Sequence, residues 1–251
     1  MVFMLFFKLN SFFLDFFATR LYNIFMNYEL KPIAKIYTDF NDKFGVPRQS
    51  GRVPSLNGKI VINPEYSDPN AFRGLENFNY IWLIFDFSLA HRDKFSPTVR
   101  PPRLGGNKRV GVFATRSPFR PNNLGLSSVK LEKIEKKDEG ICLFVSGADL
   151  VNGTPIFDIK PYIPYADCHN DATEGFTETT KFHSLEVEFP QNLLNYIPEN
   201  KRRALIDCLA DDPRPSYLDD SKKFTMKFAG FDIGFYVNDN KLRVTDVKRL
   251  P

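Results

Sequence analysis

The chain has 251 residues, of which 43% are apolar and 25% are charged, which excludes a disordered or collagen-like chain and fits a soluble globular protein. Three cysteines and three histidines, without C-x-x-C or H-E-x-x-H spacing, argue against a cystine framework and a metal site and favour a reducing, cytoplasmic location. The net charge is +4, but residues 91–120, the basic face, hold eight arginines and lysines against one aspartate and carry +7. This charge predicts a polyanionic partner such as nucleic acid, or else a solvated surface loop.

Residues 1–28 form an apolar extension that is rich in phenylalanine. Lys8, Asp15 and Arg20 interrupt it, so no run reaches the roughly 18–20 apolar residues that a bilayer span needs. No secretion signal is recognisable, because the lysine follows the first apolar run and no small-x-small site comes after it. The extension is interpreted either as a loosely amphipathic helix or as the result of a wrongly assigned start, with translation beginning at Met26. Membrane contact is not expected.

Short apolar runs separated by Gly, Pro and Asn predict strands from residue 31 onwards. They cover Pro32–Thr38, Lys59–Ile62, Tyr80–Phe87, Arg109–Ala114, Leu126–Ile134 and Ile141–Ala148. Asp68 and Pro69 predict the start of a short helix, and Trp82 is predicted to be a core residue. No G-x-G-x-x-G motif follows the first strand, which argues against a Rossmann nucleotide site. A mainly β barrel or sandwich is therefore expected.

A polar, acidic segment, Asp167–Thr180, predicts a boundary near residue 168. Beyond it, Asn200–Asp211 has the apolar spacing of a helix. The runs Lys222–Phe228, Phe231–Val237 and Leu242–Val247 predict three antiparallel strands with turns at Ala229–Gly230 and Asn238–Asn240. We thus expect domains at 29–168 and 169–251, the second a small α+β subdomain.

A loop rich in Arg, Pro, Asn and Gly spans residues 101–125. Ring-locked prolines fix its path, while arginine binds carboxylate or phosphate and asparagine matches an adenine edge, so an adenosyl ligand or RNA would suit it. The alternative is that the prolines only shape turns and the arginines are solvated. In D-P-R-P-S-Y (212–217) the prolines are expected to hold Arg214 and Tyr217 outward, toward RNA or a neighbouring subunit, or else to make a rigid turn. The predicted RNA contacts are Arg100, Arg103, Arg109, Arg120, Asn122 and Arg214.

Six segments stand in the order of a known family. They are K-F-G-V-P-R-Q (43–49), R-G-L-E-N-F (73–78), P-T-V-R-P-P-R (97–103), G-V-F-A-T-R-S-P-F-R-P-N (111–122), D-L-V-N-G-T-P-I-F-D-I-K-P-Y (149–162) and D-P-R-P-S-Y (212–217). With them the chain resembles the TsaA-like, or TrmO, family of S-adenosylmethionine-dependent tRNA adenine methyltransferases. The resemblance extends from about residue 31 to the C-terminus.

The resemblance implies a TsaA-like β-barrel, a homodimer, and S-adenosylmethionine as the cofactor. The implied reaction is methylation of the exocyclic amine of threonylcarbamoyl-adenosine, immediately 3′ of the anticodon in threonine tRNAs. The implied cofactor contacts are Pro47, Arg48, Gln49, Ser88, Leu89, Arg116, Leu126, Asp149, Leu150, Val151 and Asn152. Ser88–Leu89 stands where relatives carry His-Gln and Asn152 where they carry Asp, which is expected to lower the cofactor affinity more than the activity.

An adenine amine must lose a proton during or after methyl transfer, so a proton acceptor is needed. The candidates are Asp149, Asp158 and Tyr217, although Asp149 could only cap a turn and Asp158 could simply pair with Lys160. Two competing functions remain open. One is a non-catalytic RNA-binding module of the same fold, and the other is a small-molecule methyltransferase, for which the basic face would have no use.

Overall fold

Eight strands lie between residues 34 and 161, and six of them close into a barrel. They are β1 (Ala34–Tyr37), β2 (Asn57–Ile62), β3 (Tyr80–Asp86), β4 (Thr98–Val99), β5 (Val110–Gly111), β6 (Leu124–Lys137), β7 (Gly140–Ser146) and β8 (Thr154–Pro161). The computed structural model describes residues 29–179, 184–214 and 222–251. Around the barrel the order is β1-β2-β7-β6-β3-β8, and β4 and β5 form a separate ribbon. The barrel predicted from the resemblance is confirmed.

Alternation of buried and exposed residues explains why the strands close. On β3, Ile81, Leu83 and Phe85 are buried, and each is followed by a residue on the outer face. Ile36 of β1 and Ile60 of β2 pack against them in one apolar cluster. Complete burial of such a side chain contributes about 1.5–3 kcal/mol, so the inward rows stabilise the barrel and leave the loops at the strand ends free for function.

The structure corrects two expectations for the barrel. Trp82 is not a core residue, since it lies on the outer face of β3 with its ring 5.5 Å from that of Tyr162. A strand over Arg109–Ala114 is wrong beyond Gly111, because Val112–Ala114 forms a 3₁₀ turn. The Thr115 hydroxyl donates to the Val112 carbonyl at 2.8 Å and thereby competes with strand pairing.

Strand β8 is an element that the sequence analysis does not predict. It pairs with β1 through Ala34 and Ile156 and with β3 through Ile81 and Pro161, so it closes the barrel. Pro155 and Pro161 lie at its ends, and prolines in an apolar run argue against a strand. Both are tolerated because they occupy terminal positions.

The C-terminal part is a four-stranded sheet covered by helices. Its elements are β9 (Glu186–Glu188), α2 (Gln191–Leu194), α3 (Glu199–Ala210), β10 (Phe224–Phe228), β11 (Phe231–Asn238) and β12 (Lys241–Arg249), preceded by the short α1 (Pro164–Asp167). The sheet order is β10-β11-β12-β9. Helix α3 and the three antiparallel strands confirm the predicted α+β subdomain, whereas β9 and α2 are too short to be recognised in the sequence.

Two tight turns set the register of the C-terminal sheet. Ala229 and Gly230 have φ values of 49° and 83°, and Asp239 and Asn240 have values of 46° and 64°. Two consecutive residues with positive φ match the right-handed twist of a hairpin, and Gly, Asn and Asp tolerate this conformation best. The predicted turns are thus confirmed.

The long loop between β1 and β2 packs into the core of the C-terminal part. Phe40, Val53 and Leu56 of this loop join the same apolar cluster as Leu205 of α3 and Phe228 of β10. Residues from Pro32 onwards therefore form one compact unit. The domain boundaries 29–168 and 169–251 stay a prediction.

Asp68 accepts a hydrogen bond from the Asn70 amide and caps a 3₁₀ turn at Pro69–Phe72, as its sequence predicts. The interpretation of residues 1–28 lies outside the described residues. Within the described ranges, no helix has the length and apolar character that crossing a bilayer requires.

Candidate functional site

Three loops bring Gln49, Arg116 and Asp149 together. Gln49 belongs to the β1–β2 loop, Arg116 follows the 3₁₀ turn after β5, and Asp149 follows β7. The guanidinium of Arg116 donates to the Gln49 side-chain carbonyl at 2.5 Å, and its positive charge acts on Asp149. Three residues that the resemblance assigned to the cofactor are thus neighbours, although they are separated by up to 100 positions in the chain.

The Gln49 amide is held by its own loop as well as by Arg116. Its Nε2 donates to the Arg48 carbonyl at 2.6 Å, which orients the other side-chain atom, Oε1, toward Arg116. Arg48 in turn donates to the carbonyl of Arg214, so the P-R-Q segment touches the start of the D-P-R-P-S-Y segment. Pro47 is buried beside them. The arrangement fixes the guanidinium of Arg116, which is an exposed residue.

Asp149 is a buried acid with an unsatisfied oxygen. Its Oδ1 atom is inaccessible to solvent and has no hydrogen-bond partner among the described residues. Burial raises the pKa of the Asp149 carboxyl above its ordinary value, and the Ser127 hydroxyl, the Ser50 amide and the charge of Arg116 oppose that rise without cancelling it. A buried carboxylate oxygen without a donor can accept a proton or a ligand's hydrogen bond.

Ser127 is a site residue that the sequence analysis missed. It lies on β6 between Gly125 and Val129, which both point into the barrel, and it is itself buried. A serine in an inward row of apolar residues is the signal that could have revealed it, because a buried hydroxyl needs a partner. Here that partner is the Asp149 carboxylate.

The segment after Asp149 splits between core and surface. Leu150 is buried in the barrel cluster, and its carbonyl accepts a hydrogen bond from the Thr38 hydroxyl at 3.0 Å. The Asn152 side chain accepts from the Thr38 amide and donates to Asn41, each at 3.1 Å. Val151 is half-buried. Asn152 therefore stabilises the β1–β2 loop in this structure.

A rigid loop follows β3 and carries Ser88 and Leu89. Its backbone is held by the Phe87 amide, which donates to Asn123 at 2.8 Å, and by Lys43, which donates to the Leu89 carbonyl. The side chains of Leu89 and of Leu126 on β6 are both exposed. The loop thus offers a fixed, largely apolar surface. At the same positions relatives carry His-Gln, whose side chains were expected to make polar contacts to the cofactor.

His91, at the end of the same loop, is paired. Its Nε2 lies 2.7 Å from the Asp86 carboxylate at the end of β3. The next residue, Arg92, stacks on the Phe119 ring at 3.3 Å. These contacts fasten the loop to the basic face.

Arginines of two segments converge, Arg48 and Arg52 from the β1–β2 loop and Arg103 from the turn between β4 and β5. Nε and Nη2 of Arg52 both donate to Oδ1 of Asp211, Nε at 2.6 Å, and this ion pair joins the β1–β2 loop to the end of α3. Partial burial and then the nearby charges of Arg52 and Arg48 lower the pKa of the Arg103 guanidinium. Closely spaced guanidinium groups repel one another, so an anion bound among them would be stabilised.

The expectation that Arg214 is held outward is wrong. The residue is 8% exposed, and its guanidinium pairs with Asp212 at 2.9 Å. The pair lies where α3 turns into the next segment, so the structure places Arg214 in the loop's internal packing. Tyr217, the third candidate acceptor, lies outside the described residues.

The remaining predicted RNA residues lie along the basic face. Arg100 and Asn122 are exposed. Arg109 is exposed as well and donates to the Thr98 hydroxyl at 2.8 Å, across the β4–β5 ribbon. Arg120 donates to the Val112 and Thr115 carbonyls at 3.3 and 2.8 Å. Arg120 therefore braces its own loop.

Asp158 forms the ion pair that was weighed against a catalytic role. Its carboxylate lies 3.0 Å from Lys160 on the outer face of β8, and both side chains are exposed. Across the described part of the chain, no group of three or more metal-ligating side chains is found.

Comparisons with known proteins identify the family of the chain. Residues 35–168 match the family model of the tRNA-methyltransferase O N-terminal domain, and residues 183–250 match that of the TrmO C-terminal domain. The chain is 36% identical over 222 residues to a tRNA (adenine(37)-N6)-methyltransferase of Escherichia coli, covering 85% of this chain and 94% of that protein.

Two proteins of Pseudomonas aeruginosa are also similar. A putative S-adenosylmethionine-dependent methyltransferase, RcsF, is 38% identical over 88% of this chain and 98% of its own length. A crystal structure of TrmO from this organism has a TM-score of 0.72 at 31% identity, covering 89% of this chain and all of that one. With both family models matched along the barrel and the C-terminal sheet, the chain belongs to the tRNA-methyltransferase O family.

Proposed function

We propose that this protein methylates the exocyclic amine of threonylcarbamoyl-adenosine, immediately 3′ of the anticodon in threonine tRNAs. The coarser activity follows from its family: it is an S-adenosylmethionine-dependent tRNA adenine-N6 methyltransferase. The observation that carries the proposal is the cluster of Arg116, Gln49 and Asp149, a fixed guanidinium beside a buried carboxylate with an unsatisfied oxygen.

The residues of this cluster fit S-adenosylmethionine. The cofactor carries a carboxylate, an ammonium group, a sulfonium and ribose hydroxyls, so it needs both cationic and anionic partners. Arg116 supplies two-pronged donors for a carboxylate, while the buried Oδ1 of Asp149 lacks a donor and can accept from an ammonium or hydroxyl group. When bound, the cofactor supplies an electrophilic methyl group. The exposed side chains of Leu89 and Leu126 add apolar surface.

The chain contributes alignment and proton handling. Methyl transfer is an in-line displacement, so its rate depends on how well the residues hold amine and methyl donor in line and exclude water. The amine must also release a proton. Asp149 is the proposed acceptor, since burial raises the pKa of its carboxyl above its ordinary value and makes it a stronger base. Asp158 is a weaker candidate because Lys160 already pairs with it.

The basic face is the proposed tRNA contact. It carries +7, and Arg100, Arg103 and Arg109 are arranged along the ribbon of β4 and β5 and the turn between them. Phosphate contacts would provide salt-dependent affinity, while the splayed bases of the anticodon loop provide specificity. The guanidinium groups of Arg48, Arg52 and Arg103 form a second positive cluster, which suits the carboxylate of the threonylcarbamoyl group. A homodimer in the cytoplasm remains part of the proposal.

The test is methyl transfer to natural tRNA. Purified protein is incubated with S-adenosylmethionine and bulk tRNA from cells that lack this gene, and the digested nucleosides are weighed. One methyl mass added to threonylcarbamoyl-adenosine is expected, whereas a methyl on unmodified adenosine alone would refute the substrate. Retention of tRNA without methyl transfer or a thermal shift by S-adenosylmethionine would favour the non-catalytic RNA-binding module. Methylation of free nucleosides that tRNA does not inhibit would favour the small-molecule enzyme.

A further inference from the structure

Phe113 is an exposed aromatic ring on the basic face. It is 71% exposed, more than any other phenylalanine in the described ranges, and it lies in the 3₁₀ turn at Val112–Ala114. Neither of the two apolar clusters of the core includes it. Single exposed apolar side chains are common on protein surfaces, so the role of this ring follows from its backbone support and its charged neighbours.

The backbone under Phe113 is fixed. Val112, the preceding residue, is buried and its amide donates to the Pro97 carbonyl at 2.9 Å. The Val112 carbonyl accepts from the Thr115 hydroxyl at 2.8 Å and from Arg120 at 3.3 Å. The ring is therefore presented by a rigid turn, and a ligand that binds it does not have to order the loop first.

Positive charge lies beside the ring. The Arg120 guanidinium lies 5.5 Å from the ring centroid and braces it, and Arg109 and Arg116 lie within four positions along the chain. Arg116 reaches Gln49 and so connects this turn to the cofactor cluster. An exposed aromatic ring among arginines is the arrangement that stacks unpaired bases while the cations hold the backbone.

We propose that Phe113 is a stacking platform for an unpaired base of the anticodon loop, next to the cofactor cluster. The inference rests on the proposed function and extends it to a specific residue of substrate binding. The charge of the face favours RNA over a second copy of the chain, since two copies of a +7 surface would repel each other. Binding of a second copy is therefore an outcome of the test.

The experiment measures binding of an anticodon stem-loop RNA to the full chain. Phe113→Ala is expected to weaken binding about 10- to 100-fold, the usual loss of one stacked base, while Phe113→Trp keeps the affinity within about twofold. The matched control is Tyr165→Ala, because Tyr165 is 91% exposed on α1, and its loss should leave binding unchanged. Unchanged melting temperatures would confirm that the exposed rings do not support the fold.

An RNA whose loop carries abasic sites separates stacking from charge. Phe113→Ala should then cause no further loss, because the ring has no base to contact. A fluorescence test uses the chain with Trp82→Phe and Phe113→Trp, whose remaining indole should be quenched by the natural loop and not by the abasic one.

Three outcomes would overturn the inference. They are equal RNA affinities of the wild type and Phe113→Ala, an equal loss on the abasic RNA, and a loss that accompanies dissociation of a dimer or weaker S-adenosylmethionine binding. If these occur while bulk tRNA is still methylated, only the role of Phe113 is refuted. If the wild type neither binds nor methylates tRNA, the proposed function itself fails.

Discussion

The surfaces at the two ends of β3 differ in how their charged side chains are paired. Around the start of β3, charged side chains on the neighbouring strands pair with each other. Lys160 lies 3.0 Å from Asp158 on β8, and Lys130 lies 3.1 Å from Glu132 on β6. This region combines half-exposed aromatic rings with a charge that is locally balanced.

Beyond the end of β3, the arginines of the basic face make different contacts. Arg109, Arg116 and Arg120 donate to a hydroxyl group, a side-chain amide and backbone carbonyls, respectively. None of the three forms a direct ion pair with a carboxylate among the described residues, although the charge of Arg116 acts on Asp149. Neutral acceptors fix a guanidinium without cancelling its charge, so the positive potential remains available to an anion.

The difference shows how one barrel can carry one surface with balanced charges and another whose positive charge stays available to an anion. Exposed ion pairs contribute about 0–1 kcal/mol to stability and leave little electrostatic potential in the solvent around them. Arginines without an opposite charge repel one another in the free protein, and a bound anion removes that repulsion. Arginines held by neutral acceptors are therefore a better guide to the site than the number of charges.

The sharpest test of this comparison is Arg116→Ala. Loss of its charged hydrogen bonds should weaken S-adenosylmethionine binding about 100-fold, because each such bond contributes about 1.5–3 kcal/mol. Titration calorimetry measures the affinity. Lys160→Ala in the paired region is the control, and it should bind the cofactor as the wild type does. Unchanged affinity in Arg116→Ala would remove this residue from the cofactor site.

Asp149→Asn tests the buried acid of the site and should stabilise the fold at pH 7. Since the pKa of the Asp149 carboxyl is raised by burial, its stabilising contribution is complete at acidic pH, where the group is protonated, and is lost as the pH rises through the raised value. Above the raised value the ionised group therefore opposes folding. We expect the amide to gain about 1 kcal/mol at pH 7 and almost nothing near pH 3.5.

Urea denaturation across this pH range measures the gain, and methyl transfer by the same variant should fall because an amide accepts no proton. A variant that is less stable at pH 7, or whose free energy of unfolding changes equally at every pH, would show that the ionised carboxylate does not destabilise the fold.

The double variant Arg100→Gln and Arg109→Gln tests the basic face as a whole. Each arginine that contacts phosphate adds about 0.7–0.9 to the slope of log affinity against log salt. We expect tRNA affinity to fall about tenfold near 0.1 M salt and the slope to decrease by about 1.5, while cofactor binding is retained. A lower affinity with an unchanged slope would mean that these arginines act on the loop and not on phosphate.

Much of the fold could be predicted from the sequence, since short apolar runs bounded by turn residues indicated β3, β6 and β7, and apolar spacing indicated α3. Strand β8 was missed because prolines at its ends mask a strand whose pairing is wholly long-range. The basic face was visible as a run of charge. The pairing of Arg116 with Gln49 could not be predicted from the sequence, because it joins distant loops that only the closed barrel brings together.

The smallest expected effect belongs to Asp158→Asn in the paired region. The Asp158–Lys160 pair is exposed, so its removal should change the free energy of unfolding by less than about 1 kcal/mol. The methyl-transfer rate should stay within about twofold of the wild type, because the carboxylate lies on the outer face of β8 and is already bound to a cation. A rate that falls by orders of magnitude, with unchanged stability and tRNA affinity, would reverse the assignment of the two aspartates. It would also move the chemistry to the surface where charges are balanced.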